Sequence, residues 1–194
     1  MCSFESLVMK RSSSIGLVLA MAVGGCASGG FFDQRVTNQS VNVSYSPSQF
    51  SAFAAAGPLV EIRGAPPGGA TPEEIAAALK LPGRWPQTPF RVVAPGEAPH
   101  SQRIVLLFGA PGGFGDVLLC RGDMQPVETS NLTAAAAFCR GGRAASGAKL
   151  TDVRAIGLSD PEFATAMTRL LSEMSPSRDP TIDTDNEIFV MTDD

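Results

Sequence analysis

The chain has 194 residues, 44% of them hydrophobic and 18% charged, with a formal net charge of −4 at pH 7. That suits one globular domain of ordinary size with a real core. With no basic cluster it argues against a nucleic-acid partner, which would need a positive footprint.

Lys10 and Arg11 precede an apolar run from Ile15 to Val23. A spanning helix needs about 20 apolar residues, so this run is too short to cross a bilayer. A charged start, a short apolar core and small residues at a cut site describe a secretory signal peptide. The cut site, Val23-Gly24-Gly25-Cys26, resembles the lipobox of bacterial lipoproteins. The resemblance implies cleavage between Gly25 and Cys26, with diacylglycerol and an N-acyl chain carried on Cys26 and no other cofactor. One acyl chain holds marginally, whereas two or more anchor stably. Ala27 follows the cysteine where an Asp would favour the inner membrane, so the sorting logic of such lipoproteins implies the outer membrane, facing the periplasm. "MKR" is a typical opening for them, and translation is expected to begin at Met9.

Residues 1–25 are therefore expected to be the signal peptide. Residues 26–40, small and polar, are expected to be the lipidated cysteine and a flexible tether. Phe31-Phe32 is the exception there, a pair for the bilayer surface or for docking on the domain. A globular domain is expected over 41–175, followed by an acidic tail over 176–194.

Within the domain, Val41, Val43 and Tyr45 alternate as a strand would. "SPSQFSAFAAAG" reads as a helix capped at Ser46, with Pro47 in its first turn and Gly57 at its end. "PLVEIRG" predicts a strand with Leu59, Glu61 and Arg63 on one face and Val60 and Ile62 on the other. Thr71, Pro72 and Glu74 compose a capping box for the next helix, stopped by Pro82-Gly83. "FRVVAP", "RIVLLFG" and "DVLLCR" are short and apolar, and are read as strands of an antiparallel sheet. Residues 132–140 could be helix by alanine propensity. The Cys-Arg-Gly at 139–141 parallels that of "VLLCRG" and favours a neighbouring strand. Ser159 to Glu162 start a last helix whose Phe163, Met167, Leu170, Leu171 and Met174 form one apolar stripe. The fold class expected is α+β: a small antiparallel sheet covered by two or three helices.

With Cys26 lipidated, Cys120 and Cys139 remain, and the oxidising periplasm favours a disulfide between them. Leu119-Cys120 and the later Phe138 to Gly141 also resemble small Gram-negative envelope lipoproteins, a likeness that implies no activity and transfers no site.

The motifs that could carry chemistry are weak. "GAPGGFGD", residues 109–116, lacks the Gly-Lys-Ser/Thr of a phosphate loop. It reads as a hairpin connection, with Gly112, Gly113 and Gly115 as a candidate ligand loop. His100, the single histidine, with two paired cysteines makes neither a metal site nor a Cys–His pair. Ser146 and Lys149 have the Ser-x-x-Lys spacing of penicillin-recognising enzymes, without its partner motifs. "DTDNE" lacks the glycine of a calcium loop, Ile188 standing in its place. "RGD" at 121–123 is a chance triplet, and Glu73 and Glu74 point apart on their helix. "EIFVM" in the tail could add an edge strand or bind a partner.

These readings converge on a non-catalytic envelope lipoprotein. Its partners would be the membrane, through the lipid, and another envelope protein or a cell-wall component. A cell-wall enzyme and a small-ligand binder using the 109–116 loop are the alternatives.

Overall fold

The computed structural model describes residues 34–98 and 101–178. Gly25, Cys26, His100, "DTDNE" and "EIFVM" lie outside the described residues. The domain is α+β, a six-stranded sheet with four helices. Its strands are β1 (Gln34–Val41), β2 (Leu59–Arg63), β3 (Arg91–Val93), β4 (Gln102–Phe108), β5 (Thr133–Arg140) and β6 (Arg143–Asp152). Its helices are α1 (Pro47–Ala55), α2 (Pro72–Ala78), α3 (Asp116–Arg121) and α4 (Phe163–Met174).

The strand order is β1-β6-β5-β4-β2-β3. The sheet is mixed, which corrects the expected antiparallel one. β1, β6, β5 and β4 pair antiparallel, but β2 runs parallel to both β3 and β4. The parallel pairing β2–β3 follows from the helix between them, because a crossover returns the chain in its original direction.

Apolar side chains fill both faces of the sheet. On one face α1, α2 and α4 pack over Val60, Ile104, Leu106 and Phe138. All five residues of the expected α4 stripe are buried there. On the other face α3 alone covers Val105, Leu107, Ala135 and Ala137. β5 is alanine-rich yet a strand. Its neighbours β4 and β6 satisfy its backbone, and small side chains suit a strand covered on both faces, so packing outweighs helix propensity.

Two further expectations are corrected. "DVLLCR" is helix α3, not a strand. Asp116 lies in its first turn and Arg121 in its last, as the helix dipole favours, and left-handed Gly122 (φ +88°) ends it. The glycine-rich segment 109–115 therefore leads from a strand into a helix rather than closing a hairpin. The first strand also begins earlier than expected. β1 starts at Gln34, inside the expected tether, and ends at Val41, where "VNVSY" was expected to start a strand. Its polar residues suit an edge strand, and Val36 and Val41 pack against the core.

Among the described residues no helix is long and apolar enough to cross a membrane.

Candidate functional site

The three parallel strands end alike. β2 runs into Gly64-Ala65-Pro66, β3 into Ala94-Pro95-Gly96, and β4 into Gly109-Ala110-Pro111. Gly64 and Gly109 both adopt the left-handed region, at φ +68° and +65°. Each turn lies against other backbone. A Cβ on Gly64 would meet the Phe108 carbonyl oxygen at 2.8 Å, and one on Gly109 would meet that of Val127 at 2.1 Å. Only glycine fits either position.

From these turns the chain leaves in opposite directions. β2 exits to α2 on one face of the sheet, and β4 exits to α3 on the other. Adjacent parallel strands whose connections part to opposite faces leave a crevice at their carboxyl ends, where open α/β sheets bind ligands. Two cavities occupy that place. One, of about 680 Å³, lies between the 64–69 loop and the 126–130 segment and reaches Phe108 and Gly109. The other, of about 510 Å³, is lined by Arg63, Pro95, Gly96, Arg121 and Gln125. Both border Gly64 and Pro126, so they are neighbouring hollows of the strand-end crevice with that pair between them.

Buried charge fixes one wall. Glu61, on β2, is fully buried. Its Oε2 accepts from Arg103 Nε at 2.8 Å. Its Oε1 accepts from Arg63 Nε at 2.7 Å and also from Arg63 Nη2. Arg103 is 2% exposed. Its Nη2 donates to the Cys120 carbonyl at 2.9 Å and its Nη1 to the Gly141 carbonyl at 3.1 Å. Cys120 lies in the last turn of α3, where carbonyls lack helical partners and a cation is favoured. A buried charge of this kind is tolerable only when paired and hydrogen-bonded, and here each charge is.

The expected disulfide is present. Cys120 is bonded to Cys139 with Cα atoms 5.5 Å apart, joining α3 to β5 rather than strand to strand. Beside it Arg103 pairs across the sheet with Cys139. The cystine, Arg103 and Glu61 thus tie α3, β5, β4 and β2 together behind the crevice.

A second buried cation holds the β4 exit. Lys149, on β6, is 7% exposed, and its Nζ donates to the Pro111 carbonyl at 2.5 Å. Burial pushes its amine below the ordinary lysine value. Ser146 does not join it. An odd spacing along a strand places the two on opposite faces. Ser146 Oγ is fully buried and has no hydrogen-bond partner among the described residues. The Ser-x-x-Lys arrangement is therefore not assembled.

Of the candidate ligand loop, Gly112 and Gly113 are exposed with nothing packed on them. Gly115 borders a separate cleft of about 230 Å³ against Asn38, Gln39 and Ser40 of β1. Only the start of that segment, Gly109, reaches the crevice. Glu74 closes its capping box, and the Thr71 amide and hydroxyl hold its carboxyl below the usual range. Among the described residues no cluster of His, Cys, Asp and Glu is placed to hold a metal ion.

Glu61, Arg63 and Arg103 were not singled out from the sequence. Two signals pointed to them: an acid between Val60 and Ile62 in an apolar strand, and an arginine heading "IVLLF". The thrice-repeated Ala-Pro after a strand was a separate signal, for the turns that border the crevice. The charged groups on the 510 Å³ side are the guanidiniums of Arg63 and Arg121, whose forked donors can orient anions. No protein-family model, curated protein or solved structure matches the chain.

Proposed function

We propose that this chain is a lipid-anchored protein of the bacterial envelope, held by acyl chains on Cys26 and facing the periplasm from the outer membrane. Its α+β domain is a non-catalytic binding module for a ligand or an envelope partner. The observation that carries the binding role is the crevice at the parallel carboxyl ends, backed by a buried ion cluster. The envelope location is supported by the Val23 to Cys26 run and by the Cys120–Cys139 bond, because disulfides persist in oxidising compartments.

The cell-wall enzyme reading has less support, since Ser146 and Lys149 lie on opposite faces of β6.

The anchor is tested by expressing Cys26→Ser in a Gram-negative host and fractionating the envelope. Loss of acyl labelling and release from the membrane fraction are expected; unchanged membrane retention refutes the anchor. The crevice is tested by screening neutral fragments against the purified protein with ¹⁵N-glycine spectra. Saturable shifts at Gly64, Gly96, Gly109 and Gly122 are expected, and shifts confined to other glycines refute the site.

A further inference from the structure

We infer that the arginine end of this crevice binds an oxyanion, a carboxylate or phosphate group of a small ligand, between Arg63 and Arg121. The inference rests on the reading of the crevice as a binding site.

The charge count is the first argument. Glu61 is one carboxylate shared by two guanidiniums, so the buried cluster keeps one positive charge in excess. It does so in a chain whose formal net charge is −4. Arg121 adds a second positive charge at the same cavity wall.

Geometry is the second. Arg63 is held before any ligand arrives. Nε and Nη2 are committed to Glu61, which Arg103 fixes from the other side. The Arg63 guanidinium lies along the backbone of Gly122: a Cβ there would stand 3.2 Å from Nη2 and 3.3 Å from Nη1. Arg121, next in the chain, is exposed and makes no hydrogen bond or ion pair among the described residues. One arginine is therefore preorganised and the other is uncommitted. Their forked donors match the planar or tetrahedral oxygens of carboxylate and phosphate. Preorganisation lowers the ordering cost of binding.

Polarity is the third. Glu128 lines the neighbouring 680 Å³ cavity. Its carboxylate repels an anion from that end and directs the acidic group of a ligand toward the arginines. A cavity of about 510 Å³ falls in the range of small-molecule sites.

The test titrates inorganic phosphate and, separately, acetate into the full-length purified protein at constant ionic strength, with chloride as control, reading ¹⁵N-glycine spectra. Saturable shifts at Gly64, Gly96 and Gly122 with phosphate or acetate, and none with chloride, are expected. Whichever anion binds more tightly identifies the group. Arg121→Gln, a surface change, is expected to weaken that binding at least fivefold and to leave the free protein's spectrum folded. Arg63→Lys is expected to weaken it less, because the charge remains while the fork is lost. Shifts that chloride reproduces, or an Arg121→Gln protein that binds as the parent does, overturn the inference. If neutral fragments shift the same glycines and neither anion does, the oxyanion assignment fails and the crevice stands. If neither fragments nor anions shift them, both fail.

Discussion

Gly64 approaches the Phe108 carbonyl so closely that a Cβ at that position would lie 2.8 Å from the oxygen. The contact joins the exits of β2 and β4 at Gly64, one of the two residues that stand between the hollows of the crevice. Gly64→Ala must adopt a left-handed φ and push the β4 turn aside. We expect a loss of about 2 kcal/mol, the scale of a strained non-glycine backbone. Gly83→Ala, with open space and no left-handed φ, is the control and is expected to stay within about 0.5 kcal/mol of the parent. Urea unfolding of both measures the difference; equal effects contradict the packing argument.

Glu61→Gln leaves the buried guanidinium of Arg103 and the half-buried one of Arg63 without their shared carboxylate. Breaking a buried pair from one side costs about 3–5 kcal/mol. Replacing Glu61 and Arg103 together by leucine and methionine removes the carboxylate and its fully buried partner, leaves only the half-buried Arg63, and is expected to recover much of the loss. A double variant no more stable than Glu61→Gln would show that the cluster's value lies elsewhere.

The Cys120–Cys139 bond closes a sequence separation of 19 residues. In the chain-entropy model such a closure contributes about 3 kcal/mol. The Cys120→Ser, Cys139→Ser protein is expected to unfold at correspondingly lower urea, and the parent in dithiothreitol to match it. A parent indifferent to reductant refutes this.

Lys149 gives a pH signature. Its amine is held below the ordinary lysine value by burial. Above the folded value the native state has lost that proton, while the unfolded chain keeps it up to about pH 10.4. The unfolded state then binds more protons, so stability rises with pH across that window. In Lys149→Met the contribution is gone. Melting curves of the two proteins are expected to diverge as the pH climbs toward 10, and parallel curves would contradict the assignment.

Ser146→Ala removes a buried hydroxyl that has no partner among the described residues. Since an unpaired buried polar group costs about 1–3 kcal/mol, we expect the alanine protein to be the more stable by about 1 kcal/mol. A destabilised Ser146→Ala would reveal an interaction that the hydroxyl makes.

The elements that could be read from the sequence carried local signals strong enough to survive packing. Thr71, Pro72 and Glu74 form the capping box they spell, and the Phe163 to Met174 stripe is buried as its spacing requires. α3 could not be read, because six residues with four apolar positions have no periodicity to separate helix from strand. β1 reads as tether because an edge strand keeps polar side chains and needs only Val36 and Val41 for the core. The glycines after β4 stood out, but Gly112, Gly113 and Gly115 lead away toward α3. The crevice depends on β2, β3 and β4 being parallel neighbours, a long-range fact that no single segment contains.

The early start of β1 also shortens the leash. Gln34 lies eight positions after Cys26, and even a fully extended chain of that length reaches only about 27 Å. In the proposed anchored form Gln34, at the start of an edge strand, stays within that distance of the bilayer, while the crevice belongs to strands at the far side of the strand order. Such a molecule samples the layer next to the membrane and meets whatever diffuses or is fixed there, rather than sweeping the full depth of the compartment.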